Sequence, residues 1–302
     1  MMGNVAKVLN RDKYLLLLIL PVLLYYLIFH YIPMYGIIIA FKNFKPLKGI
    51  LGSAWVGFQY FETFFNSVYF WRLMKNTVLL SLYSLLWGFP VPIMFALLLN
   101  EVREGMFKKS VQTISYLPHF ISIVVIVGMI TNFTTVNGGI VNTVITWFGF
   151  APINFLSESS WFRDIFISSS IWQGFGWNSI IYLAAIAGID AQLYEAAEMD
   201  GANRLHKMWH ITLPGLVPTI VILLILSVGN LMDVGFEKIN LLYNPTTYET
   251  ADVISTYVYR QGIQSADYSY TTAIGLFNNI INLILLVTVN RISKKVSETS
   301  LW

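Results

Sequence analysis

Long apolar runs alternate with short charged segments along the whole chain. Read from charge to charge, six runs reach the roughly 20 residues that a helix needs to cross a bilayer. The pattern therefore predicts an all-α integral membrane protein with six transmembrane helices, because backbone groups in lipid must be hydrogen-bonded within their own segment. The predicted spans cover residues 14–41, 76–100, 110 to about 133, 165–189, 211–232 and 268–290.

The composition agrees with a membrane protein. Hydrophobic residues make up 56% of the chain and charged residues only 12%, whereas soluble proteins have roughly 25% charged residues. The first apolar run is too long for the core of a cleaved signal peptide, and no small-x-small cleavage site follows it. We therefore expect it to remain, and we treat residues 1–302 as a single transmembrane domain.

The basic residues near the ends of the spans predict the orientation, because they concentrate on the cytoplasmic side. Cytoplasmic N- and C-termini place eleven of the nineteen basic residues inside. Lys42, Lys45, Lys48, Arg72 and Lys75 run against this bias. The inside residues are Lys7, Arg11, Lys13, Arg103, Lys108, Lys109, Arg204, Lys207, Arg291, Lys294 and Lys295.

The uncharged stretch 134–157 has two interpretations. It could be a seventh span, which would move Arg204 and Lys207 outside. Its glycines, asparagines and proline, together with apolar residues at helical spacing, favour a helix that lies on the outer membrane surface within the loop 134–162.

A charged island interrupts the apolar pattern between the fourth and fifth spans, at 195–215. The sequence predicts one short helix over 193–199, a break at Asp200-Gly201 where glycine permits positive φ, and a second helix over 202–211. Pro214 then falls in the first turn of the fifth span. We expect the loop 190–210 to form a cytoplasmic helix-turn-helix elbow.

The elbow resembles a known motif. The motif consists of Glu195-Ala196-Ala197, Gly201 separated from Ile211 by nine residues, and Leu213-Pro214. It is similar to the EAA loop of permease subunits in binding-protein-dependent ABC importers. The resemblance implies the type I ABC importer permease fold and a coupling helix that docks on a separate ATPase subunit. The coupling residues it implies are Glu195, Ala196, Ala197, Asp200, Gly201, Arg204, Ile211, Leu213 and Pro214.

Three further segments, 32–46, 116–122 and 243–262, resemble the carbohydrate branch of these permeases, especially those that import oligosaccharides. The branch implies a bacterial plasma-membrane protein and a second permease subunit, with a heterodimer favoured. It also implies two ATPase subunits and an extracellular sugar-binding protein, often a lipoprotein. This chain is then not an enzyme and carries no cofactor; ATP and Mg belong to the ATPase subunits.

The sequence also weighs against other functions. No phosphate loop of the form GxxxxGK[ST] is present, so energy must come from another polypeptide. An ion-coupled secondary transporter, the main alternative besides an ABC permease for another solute, normally has ionisable residues inside its spans. Only His30 and His119 lie inside these spans, and such lone histidines are typical of packing. The pair His206 and His210 lacks a third metal ligand, and no cysteine or GxSxG motif indicates an enzyme.

Candidate residues for a sugar pathway are aromatic or amide-bearing, since sugars bind through flat aromatic faces and hydrogen-bonding side chains. Each also has an ordinary interpretation, as an interfacial anchor or a contact between helices. The candidates are Trp172, Gln173, Trp177, Asn178 and Tyr182 in the fourth span, Asn230 and Asp233 in or beside the fifth, and Asn278, Asn279 and Asn282 in the sixth.

Overall fold

The structure, a computed structural model, describes residues 13–296, 300 and 301. Lys7 and Arg11, which contribute to the predicted orientation, lie outside the described residues. The described residues fall into two compact units. The first comprises the described part of Met1–Ser67 together with Val258–Phe277, and the second comprises Val68–Tyr257 with the described part of Asn278–Trp302.

The described chain is mostly helical, with one short β-hairpin. Strands β1 (Lys42–Asn43) and β2 (Ala54–Trp55) pair antiparallel, with Lys42 opposite Trp55. The helices are α1 Lys13–Phe41, α2 Gly49–Gly52, α3 Gln59–Phe65, α4 Phe70–Asn100, α5 Met106–Phe120, α6 Ile123–Thr134, α7 Ile140–Trp147, α8 Phe162–Ala187, α9 Ala191–Met199, α10 Arg204–Gly229, α11 Phe236–Leu242, α12 Tyr248–Ala251, α13 Ile254–Tyr259 and α14 Tyr268–Val296.

Among the described residues, four helices are long and apolar enough to cross a membrane: α1, α4, α10 and α14. Two bent pairs, α5 with α6 and α8 with α9, raise the number to six if each pair is one span. The predicted third span, 110–133, is therefore not one straight helix, because α5 and α6 meet at 99°. Pro118 lies in the last turn of α5, and the Ser122 side chain caps α6 by accepting from the Val125 N–H.

Three of the long helices contain a π turn two residues before a proline. The turns are Leu27–Tyr31, Ser84–Gly88 and Met208–Thr212, and the prolines are Pro33, Pro90 and Pro214. A proline lacks an N–H and clashes with the carbonyl four residues earlier, and a π turn shifts the hydrogen bonding at that point. Pro214 lies in the first turn of an α-helical segment, as predicted. The residues before it are already helical, because they form the π turn of α10.

The second unit is built around α8, which packs against α4, α5 and α10. One buried cluster includes Leu80, Phe166 and Ile239, and another joins Ala96, Tyr182 and Leu216. Gly176 makes the approach of α8 to α5 possible, since a Cβ there would lie 2.2 Å from the Ser115 carbonyl oxygen. The walls around α8 are thus fixed by close packing.

The stretch considered for a seventh span holds only α7, with eight residues. Such a helix is about 12 Å long, too short to cross a bilayer. The buried Asn142 amide fixes it by donating to the carbonyls of Thr134, Thr135 and Ile153 at 3.0 to 3.1 Å. Its location at the membrane surface stays a prediction.

Candidate functional site

The elbow predicted at 190–210 forms a helical hairpin in the second unit. Asp190 caps α9 by accepting from the Gln192 N–H at 2.9 Å. Gly201 follows the helix with φ +78°, a conformation that favours glycine. Asn203 then caps α10 by accepting from the His206 N–H at 2.9 Å. Helix α9 begins two residues before the predicted position 193, and α10 begins two residues after the predicted position 202. The two caps set these starts.

Two polar contacts connect the arms of this hairpin. Lys207 Nζ donates to Glu198 Oε1 at 2.5 Å near the tip. Further along, Tyr194 Oη and Thr212 Oγ1 are 2.9 Å apart. The hydrogen bond and charge of Lys207 lower the pKa of the exposed Glu198 carboxyl. The residues paired by these contacts lie farther apart in sequence as the distance from the tip increases, as expected for antiparallel arms.

An apolar contact continues the same register toward the spans. A Cβ on Gly215 would lie 2.6 Å from Ile189 Cδ1, so the chain passes very close to that isoleucine. Thr212 is 1% exposed and Tyr194 is half-buried, so the bond between them is partly shielded from water. We call residues 189–215 the elbow hairpin. None of its three cross-contacts was predicted, since side-chain pairing across a turn needs the turn geometry first.

The residues of the EAA resemblance divide into an exposed tip and a partly covered base. Glu195, Ala196, Asp200, Gly201 and Arg204 are exposed. Three exposed apolar side chains, which the sequence did not single out, extend this surface. The half-buried residues of the motif are Ala197, Ile211 and Leu213, whereas Pro214 is exposed. The added apolar residues are Met199, Leu205 and Trp209.

A cavity of about 490 Å³ lies in the second unit, between α4, α8, α10 and the segment that follows α10. Four of the predicted pathway residues line it: Asn178, Tyr182, Asn230 and Asp233. The prediction missed four hydroxyls and three aromatic rings, because single serines and phenylalanines carry no signal in an apolar sequence. These are Ser81, Ser84, Ser170, Ser227, Phe89, Phe166 and Phe175.

Asp233 is the carboxylate of this cavity, and two amides from α14 orient it. Asn278 Nδ2 donates to Asp233 Oδ1 at 3.4 Å, and Asn282 Nδ2 donates to Oδ2 at 3.3 Å. The Asn282 oxygen accepts from the Met232 N–H at 3.0 Å. Asn278 thus supports a lining residue without lining the cavity, and Asn279 is exposed.

Three predicted pathway residues lie away from this cavity. Gln173 Nε2 donates to the Ile121 carbonyl at 3.3 Å, in the bend between α5 and α6. Trp177 stacks on His119 of the same bend, with ring centroids 4.6 Å apart. Trp172 is 42% exposed. Gln173 and Trp177 hold the bend, while His119 is a stacking partner.

Lys238 was not predicted, although it is buried beside the cavity wall. It is 5% exposed, and its Nζ donates to Ser170 Oγ at 2.8 Å and approaches the Phe166 carbonyl at 3.5 Å. Burial lowers the pKa of Lys238 to about 8. The cavity therefore has the Asp233 carboxylate in its lining, and the Lys238 ammonium lies behind the lining residue Ser170.

The chain is similar over nearly its whole length to known membrane components of ABC importers. The polygalacturonan/rhamnogalacturonan transport system permease protein YteP of Bacillus subtilis (strain 168) is 49% identical over 292 residues, 97% of this chain and 91% of that protein. A crystal structure of a bacterial ABC transporter involved in import of the acidic polysaccharide alginate matches with TM-score 0.90 and 47% identity, covering 97% of this chain and 99% of that one.

A second crystal structure, of the bacterial alginate ABC transporter in complex with an alginate pentasaccharide-bound periplasmic protein, matches with TM-score 0.91 and 47% identity. It covers 98% of this chain and 99% of the matched one. These likenesses give the type I ABC importer permease fold and a multi-pass protein of the bacterial plasma membrane. Residues 88–298 match the family described as binding-protein-dependent transport system inner membrane component, and the chain belongs to that family.

Proposed function

We propose that this chain is the transmembrane subunit of an ATP-driven importer that takes oligosaccharide from an extracellular solute-binding protein into the cytoplasm. The observation that carries the proposal is the elbow hairpin, whose exposed tip bears Glu195, Ala196 and Gly201. Its first arm follows α8 after a bend of 71°, and its second arm is the start of α10. Both α8 and α10 line the cavity. A push on the tip would therefore reach two cavity walls.

The proposed arrangement has six spans, with cytoplasmic N- and C-termini and a cytoplasmic elbow. The tip offers the exposed Glu195 carboxylate to a basic partner group and the exposed Met199 and Leu205 side chains to an apolar cleft. The partner at this surface is one of two ATPase subunits, which bind ATP and Mg. A second permease subunit, in a heterodimer, completes the pathway.

The substrate class follows from the lining of the cavity and from the relatives. Hydroxyl, amide and carboxylate groups can bond sugar hydroxyls, and the rings of Phe89 and Phe175 offer faces to sugar C–H groups. Both YteP and the alginate transporter are described by the polysaccharides they transport. An oligosaccharide is therefore the substrate we propose, and an ABC permease for another solute class is the alternative.

In the proposed cycle, ATP binding closes the two ATPase subunits against each other. The closure moves the elbow hairpin, and α8 and α10 tilt so that the cavity opens outward. The loaded binding protein releases its sugar there, and ATP hydrolysis resets the permease. An ion-coupled secondary transporter, the other alternative from the sequence, is set aside because the chain belongs to a family of binding-protein-dependent components.

Two variants of the tip test the proposal in the assembled transporter. Gly201→Pro removes the positive φ, and Glu195→Lys reverses the charge offered to the ATPase. We expect both to reduce uptake of labelled oligosaccharide to background and to uncouple ATP hydrolysis, while the permease still inserts in the membrane. Uptake, ATPase activity and membrane content are measured together.

Glu158→Lys is the matched control, because it makes the same charge reversal on an exposed residue outside the elbow. It should transport like the unaltered protein. Transport at the unaltered rate by both Gly201→Pro and Glu195→Lys would overturn the proposal.

A further inference from the structure

An apolar and basic surface follows the end of α1 in the first unit. Four large apolar side chains there are exposed, by 65% to 103% of their area. Three of them lie within the β1–β2 hairpin and the fourth follows it. We call this set the anchor surface. Its residues are Lys45, Leu47, Lys48, Leu51, Trp55 and Phe58.

The hairpin that carries this surface is held by hydrogen bonds, so its exposed residues are presented in a fixed way. Lys42 Nζ donates to the Ile50 carbonyl at 2.8 Å. Ser269 Oγ donates to the Lys42 carbonyl at 2.6 Å and accepts from the Phe44 N–H at 2.9 Å. Ser53 Oγ donates to the Gly49 carbonyl at 2.7 Å.

The surface begins where the first candidate span ends. Helix α1 has 29 residues, about 43 Å at 1.5 Å per residue, which exceeds the roughly 30 Å hydrocarbon core. Its last residue, Phe41, stacks on Trp55 with centroids 5.7 Å apart and meets Phe58 edge-on at 5.4 Å. A helix of this length can carry its end beyond the hydrocarbon core into the headgroup region, where aromatic residues collect.

The charge of the segment selects the lipid. Residues 42–61 contain three lysines and no acidic residue. Lys42 is engaged with the Ile50 carbonyl, whereas Lys45 and Lys48 are exposed and form no ion pair within the described chain. Lysines next to a span attract anionic headgroups. This accounts for lysines that run against the predicted orientation.

We propose that the anchor surface lies in the membrane interface, with Leu47, Leu51, Trp55 and Phe58 in the acyl-headgroup boundary and Lys45 and Lys48 on anionic phospholipid headgroups. The surface then fixes the end of α1 at the bilayer. Exposed apolar groups beside basic ones are the pattern of interfacial segments.

The chain has no cysteine, so one introduced cysteine can carry a nitroxide in the full transporter. Leu51→Cys is labelled in nanodiscs of phosphatidylcholine alone or mixed with phosphatidylglycerol, and Glu158→Cys, exposed in a loop of the second unit, is the control. We expect the label at 51 to collide more with oxygen than with a water-soluble nickel complex, and the label at 158 to show the reverse. Phosphatidylglycerol should deepen the label at 51.

Adding Lys45→Gln and Lys48→Gln to the Leu51→Cys chain should abolish the difference between the two lipid compositions. A label at 51 that collides freely with nickel lies in water and overturns the proposal. A label shielded from both reagents lies under another protein and also overturns it. Identical depths in both lipids for the unaltered lysines would contradict the role of anionic headgroups.

Discussion

Gly176 shows how a single residue sets the spacing of two helices. A Cβ at this position would lie 2.2 Å from the Ser115 carbonyl oxygen and 2.5 Å from its carbon. These are backbone atoms, so the clash can be relieved only by moving α8 away from α5. Overpacking of this kind typically costs about 1 to 3 kcal/mol.

We predict that Gly176→Ala lowers the thermal stability of the purified permease in detergent and that Gly174→Ala does so much less. A Cβ at Gly174 would meet only the end of the Asn178 side chain, at 3.2 Å, which can rotate. Both changes add one methyl group to the same helix, so helix propensity cancels in the comparison. Equal loss of stability in the two variants would contradict the contact with Ser115.

Lys238 gives a pH dependence with a definite sign. Its pKa is lowered to about 8 by burial, compared with about 10.4 for a free lysine. Between these values the unfolded chain binds more protons than the folded one, so stability rises as the pH increases through this window. Below pH 8, both states carry the charge and this contribution is constant.

The predicted measurement is the thermal midpoint of the permease at several pH values between about 7 and 10.4. The unaltered chain should gain stability across the window relative to Lys238→Met, which lacks the titrating group and is similar in length. Lys238→Met should be the more stable of the two near pH 7, where burial of the charge is most costly. The opposite order at pH 7 would show that the bond to Ser170 outweighs burial.

At the scale of elements, the spacing of charged residues was enough to locate the long helices. The capping residues were not enough to locate the bend between α5 and α6. The apolar runs located α1, α4, α10 and α14, because a bilayer imposes its own length scale. The bend between α5 and α6 was not predicted, because Pro118 and Ser122 lie inside an unbroken apolar run. The contacts that hold the bend come from Gln173 and Trp177 on a distant helix.

The candidate site was predicted in part for the same reason. The glycine turn of the elbow could be found from its spacing, since positive φ at Gly201 is a local property. The cavity lining could not, because it depends on which faces of α4, α8 and α10 meet. Asn178 and Tyr182 face the cavity, whereas Trp177 of the same helix turns to His119.

The cross-contacts predict how the elbow hairpin responds to loss of one bond. Tyr194→Phe deletes only the hydroxyl that meets the buried Thr212 oxygen at 2.9 Å. The Thr212 hydroxyl still reaches the Lys207 carbonyl at 3.5 Å, so loss of this bond should cost about 0.5 to 1.5 kcal/mol. We expect uptake per ATP hydrolysed to fall, because the tip is then less firmly joined to α10.

Thr212→Val is the reciprocal variant, and the double variant tests whether the two residues act through one bond. If they do, the loss in the double variant should be close to that in either single variant. Gln192→Ala, at an exposed position on the same helix, is the control for a surface change. Additive losses from Tyr194→Phe and Thr212→Val would show that the bond does not join the arms.

At the scale of the transporting unit, the elbow hairpin joins two walls of one cavity. Its arms run into α8 and α10, and its contacts extend from Glu198 and Lys207 at the tip to Ile189 and Gly215 at the base. A hairpin braced along its length should move as one body, so displacement of the tip would tilt both walls together. A hairpin that flexed at Gly201 would absorb the displacement.

Pairs of nitroxides on the cysteine-free chain separate these two cases. Leu193 and Leu205 are exposed on opposite arms, and we predict that the distance between labels there stays the same with and without ATP in the assembled transporter. The distance from 205 to a label at the exposed Glu158 should change by several ångströms, since the arm moves relative to the far end of α8. A change between 193 and 205 with a constant distance from 205 to 158 would place the motion in the turn and exclude the rigid hairpin.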